Sequence, residues 1–165
     1  MSAPRAASTY AAKLATPFAL LGIRTIADAV TGLEYLPPGG APLAPANRVA
    51  ERAAREIERY LADAGFRFTV PLAPGGTPFQ RRVWDTIRAI PLAESRTYGE
   101  VARWVRSAPR AVGQACGANR IALIIPCHRV VGSRGALGGF MNADAGDPLA
   151  IKRWLLAHEG YRFGE

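Results

Sequence analysis

The first third of the chain alternates short apolar runs with turn residues, a pattern typical of β-strands. The predicted strands are residues 18–23, 29–30 and 33–36. Prolines and glycines at 37–45 predict a loop, and apolar residues then recur at helical spacing from Asn47, a suitable N-cap, to about Ala62. Alternation over 66–70 predicts one more strand.

The second half begins with a strong helix-start signal. Thr77 stands at the N-cap, Pro78 at the first helical position, and Gln80 where a capping box requires it. The helix is expected to stop at Pro91. Residues 98–105 and 109–118 predict two more short helices joined by a tight connection. This spacing fits a helix-turn-helix, although helix–helix turns also occur in purely structural roles.

An apolar run and a short polar segment follow. Residues 121–125 predict a buried strand that delivers Cys127 and His128 to a loop. A glycine-rich segment at 132–139 comes next, and the last helix is expected to begin at Asp147–Pro148 and to end at 158–160. The fold class predicted is therefore α+β, with a sheet-plus-helix first half and a mainly helical second half.

Length and composition are those of a globular chain. With 165 residues, 49% apolar and 21% charged, it has room for one ordinary domain or two small ones. Residues 71–76 are the best linker candidate, which predicts domains at 1–73 and 77–165. Neither a membrane span nor a signal-peptide pattern is evident, so we expect a cytoplasmic protein without a membrane partner.

Positive charge is concentrated in the second half. Residues 1–75 carry 8 Lys and Arg against 6 Asp and Glu, a net +2. Residues 76–165 carry 13 against 7, a net +6. Such a basic half favours a polyanionic partner, nucleic acid before membrane, although an arginine-rich genomic composition would produce the same numbers.

Cysteine chemistry is the sharpest functional signal. With two Cys and two His, neither a disulfide framework nor a zinc site is expected, and we predict no metal and no cofactor. Cys127 is followed at once by His128 and Arg129. A base or positive charge beside a thiol supplies the nucleophilic thiolate, but a packed cysteine beside a surface histidine would produce the same dipeptide.

From Thr77 to Glu159 the chain resembles the O6-alkylguanine-DNA alkyltransferases. The resemblance rests on the core Pro126-Cys127-His128-Arg129-Val130 and on residues 77–84, 90–91, 97–102, 110–113, 119 and 155–160, in one order. The family's variable N-terminal domain, RNase H-like by resemblance, fits the first 70 residues only in outline.

The resemblance implies direct reversal of DNA damage in a single turnover. The family flips an alkylated guanine out of the duplex through the minor groove and transfers the O6 alkyl group irreversibly to a cysteine, here Cys127. His128 would take the thiol proton through a water, and Glu159 would orient and charge that histidine. The partner implied is double-stranded DNA containing O6-alkylguanine, bound by a monomer, with O4-alkylthymine left open.

Further roles follow from the same resemblance. Tyr98 would serve guanine N3, and Asn119 would hold the cysteine loop. The backbone carbonyl of Val130 would accept the guanine amino group, while Phe140 and Met141 would line the substrate pocket. The stretch 140–148 is longer than usual in the family, which suggests access for adducts bulkier than methyl.

The DNA-facing helix is expected to carry an intercalating arginine. Arg110 would fill the gap that the flipped nucleotide leaves. The residues after it that we expect at the DNA are Ala111, Gly113, Gln114 and Ala115. Small side chains allow close approach to a minor groove, although a close helix–helix contact would explain them equally well.

Two other functions compete with this interpretation. A non-catalytic lesion-binding protein on the same scaffold would require Cys127 to be unreactive. A cysteine hydrolase would use Cys127 and His128, but such enzymes usually place the base far away in the sequence and would leave the helix-turn-helix without a role.

Overall fold

A three-stranded antiparallel sheet opens the computed structural model, which describes residues 10–37, 39–133, 137 and 148–163. Its strands β1 (Ala12–Ala15), β2 (Leu20–Ile26) and β3 (Ala29–Leu36) lie in sequence order. The β2–β3 hairpin turns tightly, with Ala27 in the left-handed region at φ 52°. The sequence missed β1, which is short and offers few apolar residues.

Helix α1 (Arg48–Ala62) packs against this sheet and confirms the predicted helix. The Asn47 side chain accepts a hydrogen bond from the backbone N–H of Ala50 at 2.8 Å, as an N-cap should. Its apolar face, including Ile57 and Tyr60, is buried. The helix ends at Asp63, which caps it by bonding back to the carbonyl of Arg59.

The strand predicted at 66–70 is wrong. The backbone N–H groups of Thr69 and Val70 bond to the Glu56 carboxylate, at 2.9 and 3.1 Å, instead of to a neighbouring strand. A side chain thus satisfies the donors that an edge strand would have used. The predicted linker, residues 71–76, is also held to the sheet by two backbone hydrogen bonds. The N–H of Val30 in β3 donates to the carbonyl of Pro71, and the carbonyl of Val30 accepts from the N–H of Ala73.

The helical half begins with α2 (Pro78–Arg88), whose predicted capping box is present. Thr77 Oγ1 accepts from the N–H of Gln80 at 3.1 Å, and Gln80 Oε1 accepts from the N–H of Thr77 at 2.9 Å. A short strand β4 (Arg96–Thr97) leads into α3 (Tyr98–Val105) and α4 (Pro109–Gly117). These two contacting helices are the predicted helix-turn-helix pair.

Residues 121–125 form a buried turn, so the strand predicted there is also wrong. Ile125 N–H bonds to the carbonyl of Ile121 at 3.0 Å, and Leu123 adopts φ 71°. An apolar run alone does not distinguish a buried strand from a buried turn. The turn nevertheless contacts the sheet through its backbone, because Leu33 exchanges hydrogen bonds with Arg120 and Ala122 at 2.8 and 3.2 Å.

The turn leads into the nucleophile segment. Cys127–Arg129 form one turn of 3₁₀ helix, and β5 (Val130–Val131) then pairs in parallel with β4. The last helix, α5 (Pro148–His158), ends before Gly160, which takes φ 83°. The order of elements, a sheet with one helix and then a mainly helical half, confirms the α+β class, and one continuous apolar core joins the two halves. Among the described helices, none has the length and apolarity that a membrane crossing needs.

Candidate active site

A cavity of about 880 Å³ lies where the sheet meets the helical half. Residues 33–36 of β3 form one wall, and the other walls come from α3, α4 and the 121–125 turn. Five of the predicted site residues line it: Tyr98, Arg110, Gly113, Asn119 and Cys127. Phe140 and Met141, predicted to contact the substrate, lie outside the described residues.

Asn119 positions the cysteine. Its side-chain N–H₂ donates to the carbonyl of Ile125 at 2.9 Å and to the Cys127 sulfur at 3.2 Å, while its Oδ1 accepts from the N–H of Ile121 at 2.9 Å. One amide therefore ties both ends of the buried turn and directs a donor at the sulfur. This contact stabilises a developing thiolate.

The resting thiol holds its proton. A hydrogen bond with Cys116 and burial raise the pKa of Cys127 well above that of an ordinary thiol, against the opposing effects of the Asn119 hydrogen bond and the Lys152 charge. The sulfur becomes an anion only when a base takes its proton.

His128 is placed to be that base. It is 1% exposed, and its Nε2 lies 2.8 Å from Glu159 Oε2. Among the described residues, no protein group bonds to its Nδ1. Burial lowers the pKa of His128, and the neighbouring Glu159 only partly restores it. A neutral ring whose Nε2–H donates a hydrogen bond to Glu159 keeps an acceptor lone pair on Nδ1.

Glu159 is a buried anion with three partners. Arg129 donates to Oε1 and Oε2 from Nε and Nη2, at 2.8 and 3.1 Å, and the Tyr60 hydroxyl donates to Oε2 at 2.7 Å. Burial alone would raise the pKa of Glu159, but the hydrogen bonds and charges of His128 and Arg129 outweigh burial and lower the pKa to about 2. The carboxylate is therefore charged at any physiological pH.

Sequence reasoning missed the role of Tyr60. The helical pattern assigned Tyr60 to the apolar face of α1, which is where it lies. Its hydroxyl, however, donates a hydrogen bond to Glu159, a residue 99 positions later in the sequence. A buried tyrosine usually finds a hydrogen-bond partner, so its position on an apolar face was a usable signal. The identity of the partner was not in the sequence pattern.

Lys152 was also missed. It lies on α5, fully buried, and its Nζ donates to the carbonyl of Val130 at 2.7 Å. Burial lowers the pKa of Lys152 to about 8, although negative charge on Cys116 and Cys127 would raise it. A buried ammonium near two sulfurs favours their thiolate forms. The available signal was a lysine on the apolar side of the final helix.

Tyr98 stands at the first position of α3 and lines the cavity. Burial, with smaller effects from negative charge on Cys116 and Cys127, raises the pKa of Tyr98 to about 12. Its hydroxyl therefore keeps its proton at neutral pH and can donate a hydrogen bond.

The predicted DNA-facing residues do not all share one face of α4. Arg110 and Gln114 are exposed, and Ala111 and Gly113 are half-buried. Ala115 needs a correction, because it is 2% exposed and its carbonyl accepts the indole N–H of Trp84 at 2.8 Å. Five residues after Arg110, the helix has turned this position onto the core face.

The cavity has no evident metal centre within the described residues, where no three His, Cys, Asp or Glu side chains cluster as a metal site requires.

The comparisons with known proteins agree on one family. The family model described as "6-O-methylguanine DNA methyltransferase, DNA binding domain" matches residues 78–161. A methylated-DNA–protein-cysteine methyltransferase of Methanosarcina acetivorans is 46% identical over 110 residues, which are 66% of this chain and 67% of that protein. The Shigella flexneri protein of the same name is 46% identical over 95 residues, and the match spans about half of its length (53%) and 56% of this chain.

A solved structure extends the likeness to the N-terminal half. The Mycobacterium tuberculosis protein crystallised in complex with DNA is 34% identical, with a TM-score of 0.75, over 90% of this chain and 91% of that one. The chain belongs to the 6-O-methylguanine DNA methyltransferase family.

Proposed function

We propose that this protein repairs O6-alkylguanine in double-stranded DNA by moving the alkyl group irreversibly onto Cys127. Each molecule acts once, because the thioether product is not reversed by ordinary thiol chemistry. Membership of the family supports the reaction, and one observation carries the assignment to these residues. His128, next to the cysteine, is anchored by Glu159 and leaves Nδ1 without a protein partner among the described residues.

The transfer requires one proton movement and one displacement. His128 Nδ1 takes the thiol proton through a water, and Glu159 stabilises the imidazolium that forms. The Cys127 sulfur attacks the alkyl carbon, the bond from that carbon to O6 breaks, and its electron pair passes into the guanine. The Tyr98 hydroxyl donates a hydrogen bond to N3 of this leaving base, while Lys152 and Asn119 stabilise the thiolate.

Guanine selection is proposed for the loop after the nucleophile. The carbonyl of Val130 would accept the exocyclic amine of guanine. It already accepts from Lys152 Nζ, but a carbonyl oxygen has a second lone pair.

The DNA is proposed to meet α4. Arg110 is exposed at the start of α4 and borders the cavity. A side chain that fills the gap left by a flipped nucleotide must be placed in this way. Gly113 has no atom within 4 Å of where a Cβ would lie and no positive φ. Internal packing therefore does not require glycine there, whereas close approach of a duplex does. The partner is double-stranded DNA, bound by a monomer, and we place the protein in the cytoplasm.

Mass spectrometry tests the assignment. After incubation with a duplex containing O6-methylguanine, we expect a gain of about 14 Da on the Cys127 peptide, limited to one equivalent, as a covalent acceptor requires. Cys127→Ser should bind the same duplex and gain nothing. Binding by the wild type without a mass gain would favour the non-catalytic alternative, and turnover beyond one equivalent would favour a hydrolase.

Replacing the intercalating arginine separates chemistry from base flipping. Arg110→Ala should slow transfer from duplex DNA but not from free O6-benzylguanine, because the free base needs no gap filled. Arg55→Ala, an exposed arginine on α1 paired with Glu51, is the matched control and should leave both rates unchanged. Equal losses on both substrates would contradict the role of Arg110.

A further inference from the structure

The end of α5 contacts the end of α1 through His158, a residue to which the proposed mechanism gives no task. His158 is half-buried, and its Nε2 lies 2.8 Å from the backbone carbonyl oxygen of Tyr60. A carbonyl can only accept, so Nε2 carries the proton and is the donor. Tyr60 lies in the last turn of α1, where carbonyl groups have no partner within the helix. His158 therefore supplies, from the other half of the chain, a donor that α1 lacks.

Two consecutive residues thus bind the two ends of Tyr60. Its carbonyl accepts from His158, and its hydroxyl donates to Glu159 Oε2 at 2.7 Å. The rings of Tyr60 and His158 also meet edge to face, with their centroids 5.1 Å apart. These contacts form a closed ring, completed by the backbone between 158 and 159, which we call the Tyr60 clamp. Within a closed ring, the Glu159 carboxylate cannot move away without breaking a second contact.

Aromatic packing fixes the plane of the His158 ring. Trp154, one turn earlier on α5, stacks on it with centroids 4.9 Å apart and an angle of 23° between the rings. Phe18, in the connection between β1 and β2, packs in turn against Trp154 at 4.7 Å. An imidazole held in one plane directs its Nε2–H to one place. The N-terminal half therefore sets both the orientation of His158 and the position of its acceptor.

We propose that His158 is a positioning residue for alkyl transfer, which acts through the Tyr60 clamp by holding Glu159 in line with His128. The proposal rests on the proposed function, because it is there that Glu159 has a part in the transfer. Glu159 directly follows the last residue of α5, and helix ends fray. A displacement of about 1 Å in a reacting group can cost about 10²-fold in rate. A contact that fixes this end of the helix therefore affects the chemistry.

The clamp gives the N-terminal half a part in the reaction without any contact with DNA or substrate. Arg129 binds the Glu159 carboxylate from within the helical half, and Tyr60 binds it from α1. The acid that supports His128 is thus held from both halves of the chain. A change at the end of α1 should then alter the transfer rate even though α1 lies outside the cavity wall.

Two substitutions at one position test His158. Leucine keeps much of the volume and removes the donor, whereas glutamine keeps an N–H donor at a similar reach. His158→Leu should lower transfer per folded molecule about threefold to tenfold, the equivalent of one hydrogen bond, and His158→Gln should restore most of it. The loss should be equal on an O6-methylguanine duplex and on free O6-benzylguanine, because the clamp affects the chemistry and not base flipping.

A double substitution tests whether the clamp is one unit. His158→Leu combined with Tyr60→Phe should lose less than the product of the two single losses, since each removes the same constraint. Phe66→Leu is the control, because it removes an edge-to-face contact with Phe68 and leaves the clamp intact. It should lower stability in a urea titration and leave transfer per folded molecule unchanged. Single losses that simply multiply would mean that the two residues act separately, which overturns the clamp.

A proton NMR measurement tests the positioning without any alkyl transfer. The Nε2–H of His128 is buried and bound to a carboxylate, so it should give a slowly exchanging downfield resonance in the wild type. His158→Leu should shift or broaden that resonance, and His158→Gln should leave it in place. An unchanged resonance in His158→Leu overturns the proposal, and so does an equal loss of transfer in both variants. A wild type whose resonance responds as expected but which transfers no alkyl group would refute the repair function and leave the clamp standing.

Discussion

Two glutamates are buried in the described residues, Glu56 in the N-terminal half and Glu159 in the C-terminal half, and they are nearly alike by burial and charge. They are 7% and 4% exposed. Hydrogen bonds lower the pKa of each against the opposing effect of burial. Glu56 receives its bonds mainly from Thr69, Val70 and Arg52, groups that stay protonated at all relevant pH values.

Glu159 differs in one partner. Its carboxylate holds His128, a ring that can gain a proton and whose Nδ1 has no protein partner among the described residues. A buried acid with a low pKa therefore does not mark an active site by itself. What distinguishes the functional acid is a partner whose own protonation can change.

Glu159→Gln should give the largest loss of transfer. The amide keeps the shape of the side chain but cannot stabilise an imidazolium, so single-turnover transfer from an O6-methylguanine duplex should fall by about 10²- to 10⁴-fold, the usual range for general-base catalysis. Rapid-quench kinetics measure it directly. A loss below tenfold would mean that His128 does not act through this carboxylate.

Glu56→Gln is the matched control and should change stability instead. Loss of one charged acceptor leaves Thr69 and Val70 N–H groups poorly bonded, at a cost of about 1–3 kcal/mol in the free energy of unfolding. Urea titration measures that cost. Transfer per folded molecule should stay at the wild-type rate, and a drop like that of Glu159→Gln would remove the distinction between the two acids.

Acid should destabilise the fold largely through Glu159. Its folded pKa, about 2, lies below the unfolded value, so its contribution is present above the ordinary carboxyl range and is lost as pH falls toward 2. A carboxyl pKa that falls from 4.5 in the unfolded chain to about 2 in the folded one is worth about 3 kcal/mol. The free energy of unfolding of Glu159→Gln should therefore depend less on pH between about 5 and 2 than that of the wild type.

His128 adds to the same trend. Burial lowers its folded pKa, so below the ordinary histidine pKa the unfolded chain binds a proton that the folded one refuses. Stability therefore already begins to fall as pH drops through that range. Identical pH profiles for the wild type and Glu159→Gln would contradict the charge state assigned to this network.

Tyr60→Phe should have the smallest effect. The carboxylate keeps Arg129 and His128 and loses one neutral donor, so transfer should fall about threefold to tenfold, the equivalent of one hydrogen bond. Stability should drop by about 1 kcal/mol. Tyr161→Phe, outside the Glu159 network, controls for removal of a tyrosine hydroxyl. An unchanged transfer rate would restrict Tyr60 to a packing role.

Helix starts could be predicted because their determinants are local. Asn47, Thr77 and Gln80 bond to backbone groups three residues away, within reach of any short window of sequence. The two wrong strands failed because their apolar patterns suit several buried conformations. At 66–70 a side chain took the place of a strand neighbour, and at 121–125 a residue with positive φ turned the chain.

The site was predictable to the extent that adjacent residues define it. The adjacent Cys127 and His128 predicted a cysteine nucleophile with a neighbouring base. The 3₁₀ turn, which the sequence did not predict, places Cys127 at the cavity and directs His128 to Glu159. Contacts made across the fold, such as Tyr60 with Glu159 and Lys152 with Val130, depend on how distant elements pack. No spacing in the sequence encodes them.

The exchange of backbone hydrogen bonds between Leu33 and the 121–125 turn has an evolutionary consequence. These bonds use no side-chain atoms, so they do not depend on which side chains stand at 33, 120 and 122. Substitution at these positions therefore leaves this part of the attachment intact, whereas the side chains in the shared core and Tyr60 stay constrained. Transplanting the helical half onto an unrelated partner would require a matching strand edge as well as an apolar surface that completes the shared core.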